Sequence, residues 1–499
     1  MIVSSNLMFN SYLLIILKSL LTWNICSCLE TYTLQFNNSM KIVNTLPDEF
    51  VSFGLDTSLL RNMSFLPIDQ SKFILLLKHL SPAYLRVGGT ASDCLYFNKV
   101  LGNGSIQSDQ SYIYSQDISN FSISSHDLIA IHEFSKKTNL RMIFDLNVLI
   151  RKSDFTWDSS DALKIISTLK ERNAENVDWQ LGNEPNSFPH VFNIKISASQ
   201  LAKDYCKLRA ILNYNDFKNS ALIGPEVNHI EHSRSKGQIY LKEFLKIASD
   251  CVDYVSWHQY YLNGRTATRE DFLNSTVFNI LPDQIDIIKN VMRSYERSIP
   301  VWLSETGSAF GGGAPKLSNT FVAGFLWLDK LGISARNGIN VVIRQSVFGG
   351  DYAMIESDLT QNPDWWLAVL FKKFVANKVF SIDSTDNLRL YAHCTPKKVS
   401  SGKSSGVTLY GMNLNNEPIQ IRLRNLSPKT NAHIYVLTSD DLQSRNTFLN
   451  GRVLRLQENG DLPAFLPIIQ DLRKPIRIPK ISMFFIVINN AKLTQCFSK

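Results

Sequence analysis

Cysteine is scarce in this chain: seven residues in 499, with no Cys-x-x-Cys pair among them. Thiolate-held zinc and iron–sulfur sites need that kind of spacing, so no metal site and no cofactor is expected. Cys26 and Cys28 close an N-terminal apolar run, leaving Cys94, Cys206, Cys251, Cys394 and Cys496, an odd number. At least one of these five stays unpaired or bridges to another chain. Charge is also sparse, at 19% of residues against 44% hydrophobic ones, which excludes extensive disorder. Beyond the N-terminus no run reaches the roughly 18 apolar residues of a membrane span, so no stable membrane insertion of the mature chain is expected. Internal repeats and long low-complexity tracts are missing too. The net charge of +8 fits a polyanionic partner. Lys and Arg are dispersed without a basic stripe, which argues against nucleic acid, and charge alone does not choose between an anionic membrane and a sulfated glycan.

What is present begins with a leader. Leu7 to Leu21 is a short apolar run followed by the small-residue stretch Cys26-Ser27-Cys28, the pattern of a secretory signal over residues 1–28. The run lacks a preceding basic residue and Lys18 interrupts it, so an uncleaved anchor or a misassigned start is the competing reading. Six glycosylation sequons, at Asn37, Asn62, Asn103, Asn120, Asn274 and Asn425, agree with export to the extracellular matrix or the lysosome.

From about residue 50 to residue 376, short β-branched or aromatic runs alternate with amphipathic stretches. Eight strands are expected, over Val51–Asp56, Tyr84–Gly89, Arg141–Asn147, Val177–Glu184, Ala221–Glu226, Tyr254–Tyr261, Pro300–Glu305 and Asn340–Ser346, each followed by a helical pattern. That count predicts an α/β fold of the (β/α)8 TIM-barrel type over residues 46–380. Polar residues recur where the strands end: Asp56, Thr90, Asn147, Glu184, Glu226, Tyr260, Glu305 and Gln345. A barrel keeps its active site at that face. Residues 381–499 change to short alternating strands and read as a C-terminal β-sandwich, which the strand-like segment Thr31–Asn37 within residues 29–45 is expected to join. Cys394 and Cys496 flank the sandwich sequence and form the expected disulfide.

Two strand ends carry the chemistry. Gly182-Asn183-Glu184-Pro185 ends strand four, and Leu303-Ser304-Glu305-Thr306 ends strand seven, which places two glutamates across one cleft. Glycoside hydrolysis with retention needs a proton donor and a nucleophilic carboxylate about 5–5.5 Å apart. Glu184 is the candidate acid/base and Glu305 the candidate nucleophile. The plain alternative is two ordinary carboxylates at exposed strand ends.

Longer runs sharpen this. Leu80-Ser81-Pro82-Ala83-Tyr84-Leu85-Arg86, Trp179 to Phe188, Trp257 to Ala267, Gly311-Gly312-Gly313-Ala314-Pro315, Gly324 to Arg336 and Phe484 to Ala491 resemble the heparanase family, retaining endo-β-glucuronidases of heparan sulfate. The resemblance covers nearly the whole chain. It implies a barrel with an attached sandwich, heparan sulfate or a related anionic glycosaminoglycan as partner, and cleavage beside a glucuronic acid. It implies Glu184 as proton donor and Glu305 as nucleophile. Asp56, Thr90, Asn183, Tyr260, Gln345, Gly350 and Tyr352 would line the saccharide site, with Arg265 and, from a loop of different length, Arg234 meeting sulfate.

Departures from the family pattern are Gln259 in place of a second histidine, Gly307 in place of a serine, and a much shorter stretch between Tyr96 and Ser124. In the vertebrate enzyme that stretch holds an excised linker, so this chain is expected to act uncut. The rival readings are a hyaluronidase of the same broader family and a non-catalytic heparan-sulfate-binding protein.

Overall fold

Strands with both faces apolar can only be satisfied between two layers, and the eight strands expected from the sequence are of that kind. A computed structural model describes residues 29–36, 40–101, 117–174, 176–232, 234–295, 297–399, 406–426, 430–491 and 493–496. The expected leader, the sequons at Asn37 and Asn103 and the end of the one at Asn425 lie outside the described residues. The barrel strands are β1 (Val51–Asp56), β2 (Ala83–Gly88), β3 (Leu140–Leu146), β4 (Val177–Leu181), β5 (Ile223–Val227), β6 (Tyr254–Asn263), β7 (Val301–Phe310) and β8 (Ile339–Arg344). They pair in parallel in the order β4-β3-β2-β1-β8-β7-β6-β5, and a bridge between Trp179 and Leu222 closes the ring. Inside it Trp302 sits against Tyr84 and Tyr254, with ring centroids 4.8 and 4.3 Å away.

Eight helices surround the ring: α1 (Ser71–Lys78), α2 (Ser125–Lys137), α3 (Ser160–Glu171), α4 (Ala198–Tyr214), α5 (Lys236–Ala248), α6 (Ile280–Met292), α7 (Ala323–Arg336) and α8 (Pro363–Phe374). Their apolar spacing explains their docking: α1 buries Phe73, Leu76 and Leu77, one stripe at helical period. Among the described residues no helix is long and apolar enough to cross a membrane.

Two expected strand ends are corrected. β4 stops at Leu181, because Gly182 takes φ +81° and Glu184 follows at φ 55°, turning the chain out over the barrel mouth. β7 runs on past Glu305 to Phe310, since β6 and β7 keep pairing above the barrel through Leu262–Ala309 and Asn263–Phe310. Glu305 therefore lies within a strand, under a two-stranded wall.

The C-terminal part is a sandwich of a nine-stranded and a three-stranded sheet. Alternation decides what each strand faces: Leu388, Leu390 and Ala392 point into the sandwich, whereas Tyr391, Tyr410 and Phe485 join the barrel core. Thr31–Gln35 pairs in parallel with Ile419–Arg424, and a further strand that the sequence reading did not separate, Ile42–Thr45, pairs with Lys378–Phe380. Cys394 is bonded to Cys496. A second disulfide, Cys206–Cys251, joins the end of α5 to α4, and Cys94 is free and buried.

Candidate active site

An arginine in the middle of an apolar strand must find counter-charges, and Arg86 on β2 finds them at the barrel mouth. Its guanidinium is fully buried. Nη1 donates to Glu305 Oε2 at 2.6 Å, Nε to Gln180 at 2.8 Å and Nη2 to Asn183 at 2.9 Å, with Glu226 Oε2 3.1 Å from Nη2. Gly88 leaves the room: a Cβ there would lie 2.7 Å from the guanidinium carbon. Tyr260 O–H donates to the other oxygen of Glu305 at 2.8 Å. Burial works to raise the Glu305 carboxyl, but the charges of His258 and Arg86 and the bonds from Tyr260 and Arg86 outweigh it and hold the group below the ordinary carboxylate range.

Glu184 stands on the turn after β4, in a left-handed conformation (φ 55°, ψ 52°) that costs a non-glycine residue on the order of 1–3 kcal/mol. Its backbone N–H donates to Glu226 O at 3.1 Å, which anchors the turn to β5. Asn228 Nδ2 donates to Oε2 at 2.7 Å, and His258 Nδ1 lies 2.9 Å from Oε1. The other imidazole nitrogen lies 2.8 Å from the buried Glu226. Burial alone would lower the imidazole pKa, yet the charge of Glu305 and the bonds to Glu184 and Glu226 push it up to about 10. His258 is thus an imidazolium that donates to Glu184 and to Glu226. Ligand atoms of Glu184, His258 and Glu305 all lie within 4.8 Å of one another. With both nitrogens engaged by carboxylates, the trio is arranged to hold protons rather than a metal ion.

The cleft above these groups is lined by Asp56, Thr90, Asn183, Glu184, Tyr260, Glu305 and Tyr352, and Gly350 with Tyr352 lines an adjoining cavity. Gln345 is buried and donates to Asp56 at 2.9 Å, so it supports the lining. Arg234 and Arg265, expected to meet sulfate, are exposed and form no part of either lining. Of the strand-end residues, Asn147 instead binds Leu95 O and Leu149 N, and Glu226 lies buried behind His258. Sequence reasoning did not single out Arg86, His258 or Asn228; the arginine inside an apolar strand was the available signal for the first.

Two of the three departures lie beside the glutamates. Gln259 accepts a bond from Lys330 of α7 at 2.7 Å, leaving His258 to serve Glu184. A Cβ at Gly307 would lie 3.0 Å from the Tyr260 ring, so glycine there gives the tyrosine its place under Glu305.

Residues 49–332 match the N-terminal domain of glycosyl hydrolase family 79. The heparanase of Bos taurus is 37% identical over 494 residues, spanning 90% of this chain and 89% of that protein. The hyaluronoglucuronidase of Hirudo nipponia is 31% identical over 451 residues, spanning 83% of this chain and 90% of that protein. Among solved structures, a 4-O-α-L-rhamnosyl-β-D-glucuronidase of Fusarium oxysporum superposes with a TM-score of 0.67 at 15% identity, covering 91% of this chain and all of that one. That last likeness speaks for the fold.

Proposed function

The chain belongs to glycosyl hydrolase family 79 and is a glycoside hydrolase, and on that premise we propose that it is a secreted, retaining endo-β-glucuronidase that cuts internal glucuronic acid linkages of heparan sulfate. The observation that carries the chemistry is the approach of Glu184 and Glu305 to within 4.8 Å. Inverting enzymes need about 6.5–9.5 Å to admit a water between the carboxylates. Glu305, kept anionic by Arg86, Tyr260 and His258, attacks the anomeric carbon while Glu184 gives its proton to the leaving oxygen. The bond to the departing sugar breaks as the glycosyl ester forms. Glu184, now a carboxylate facing the His258 imidazolium, takes a proton from water, whose oxygen displaces Glu305 and restores both groups.

Secretion is supported by the N-terminal apolar run and by two disulfides, which persist in oxidising compartments. The short stretch between Tyr96 and Ser124 supports activity as a single uncut chain. Hyaluronan is the second reading, favoured by the leech relative. The test is product analysis of heparan sulfate and hyaluronan oligomers in isotopic water, using uncut protein collected from culture medium. Internal cleavage of heparan sulfate with retained anomeric configuration, lost by at least about a thousandfold in Glu305→Gln, is the expected result. Cleavage of hyaluronan alone, inversion, or a requirement for cutting near residues 97–125 would each overturn the corresponding part.

A further inference from the structure

The chain carries net charge +8, yet the walls of its cleft carry the opposite sign. On the Glu184 side, where the leaving sugar must lie for its oxygen to be protonated, the wall after β5 presents the exposed carboxylate of Glu231, which bonds the His229 imidazole at 2.8 Å. On the far side the adjoining cavity presents Asp117. Bonds from Ser119 hold Asp117 below the ordinary carboxylate range, so it is anionic. Neither cavity has a lysine or arginine among the described residues of its lining. Arg61, beside Asp117, already bonds its carbonyl at 2.7 Å and stacks on Phe121 at 4.3 Å. Arg86 is sealed beneath Glu305. The sequence from residue 100 to residue 135 contains no lysine or arginine at all.

We infer that the sugars flanking the scissile bond are bound without sulfate, and that Glu231 is the residue that sets this preference, with Asp117 acting on the far side. The inference rests on the endo-β-glucuronidase reading above and narrows it to the sulfate-poor stretches of the glycan. Each sulfate ester adds a full negative charge that does not titrate in the working range. Set a few ångströms from a carboxylate at a protein surface, it is disfavoured on the order of tenfold. His229 can offset the Glu231 charge but cannot reverse its sign. The dispersed cations that give the chain its net charge then act at a distance, concentrating a polyanion without dictating which segment enters the cleft.

The test compares kcat/KM for two oligosaccharides of one length and backbone: alternating glucuronic acid and N-acetylglucosamine, and the same chain N- and 6-O-sulfated. The unsulfated chain is expected to be cut about tenfold faster. Glu231→Arg should remove or reverse that ratio, Glu231→Gln should narrow it, and Asp117→Asn should narrow it less, because Arg61 already lies 3.5 Å from that carboxylate. A ratio of two substrates on one preparation is insensitive to the fraction folded. Faster cleavage of the sulfated chain by the unaltered enzyme, or a ratio untouched by Glu231→Arg, would overturn the inference. Failure to cut either chain would instead overturn the endo-β-glucuronidase reading on which it stands.

Discussion

Glu226 touches no cleft surface, yet it bonds His258 at 2.8 Å and lies 3.1 Å from Arg86, so one buried carboxylate holds the cations that serve both glutamates. Glu226→Gln keeps the shape and removes the charge, loosening the imidazolium that orients Glu184. We expect kcat to fall roughly tenfold or more on substrates with poor leaving groups and much less on activated aryl glycosides, which need little protonation. A structural defect would lower both equally. The His258 linkage has a definite sign. Its folded-state pKa, about 10, stands above the ordinary 6.5, so its stabilisation is complete below 6.5 and is lost as pH rises through 10. Glu305 is depressed below 4.5, so its stabilisation is present above that value and is lost as pH falls through the lowered one. The Tm difference between the unaltered protein and His258→Phe should therefore be largest near pH 5–6 and shrink towards pH 10; a difference constant with pH would refute the assignment. Glu184 and Glu305 were legible from their strand ends. Glu226 was legible as a strand end but not as their support, and Arg86 and His258 were not singled out, because the three come from β2, β5 and β6 and only ring closure brings them together.

The eight strands and helices were legible because apolar period and turn residues agreed, and most boundaries shifted by a few residues where chain ends fray. The overrun of β6 and β7 was not, since continued pairing above a barrel has no local signature. Nor was the depth of α7. Asp329 and Lys330 look like a solvated face, yet every residue from Ala323 to Ala335 is buried, because the sandwich covers the side that the barrel leaves open. Lys330 Nζ reaches Gln259 Oε1 at 2.7 Å and Gly307 O at 2.9 Å, and also bonds Thr306 Oγ1, clamping β6 to β7 where their register shifts beside Glu305. Burial and the neighbouring Arg344 charge lower its pKa well below that of a free lysine. Lys330→Met would leave those acceptors unsatisfied, at about 1–3 kcal/mol each. The expected result is a lower Tm together with a roughly 10–100-fold fall in kcat and little change in KM, as for a displaced nucleophile. Unchanged kcat in a folded variant would show that the clamp does not reach Glu305.

At the scale of the whole molecule, the barrel is incomplete without the sandwich. The nine-stranded sheet turns Tyr391, Tyr410 and Phe485 into the barrel core, Tyr391 O–H donates to the buried Asp329 of α7 at 2.6 Å, and the same ring lies where a Cβ on Gly332 would stand, 2.3 Å from its Cδ2. The C-terminal strands could be read from sequence as a sandwich, but which face meets the barrel could not. Alternation marks two faces without saying which one is covered by helices. Residues 46–380 expressed alone would expose the outer faces of α7 and α8, an apolar surface far beyond what a soluble monomer leaves open. That fragment should aggregate or bind a hydrophobic dye, and the full chain should do neither. Gly332→Val probes the same contact inside the intact protein. Backbone and ring cannot both stay in place around the added carbons, so it should destabilise by about 1–3 kcal/mol or more. Because Lys330, two residues before Gly332 on α7, is the clamp between β6 and β7, the variant should also lower kcat. A Gly332→Val protein with lowered Tm and unaltered kcat would mean that the sandwich supports the barrel without bearing on Glu305.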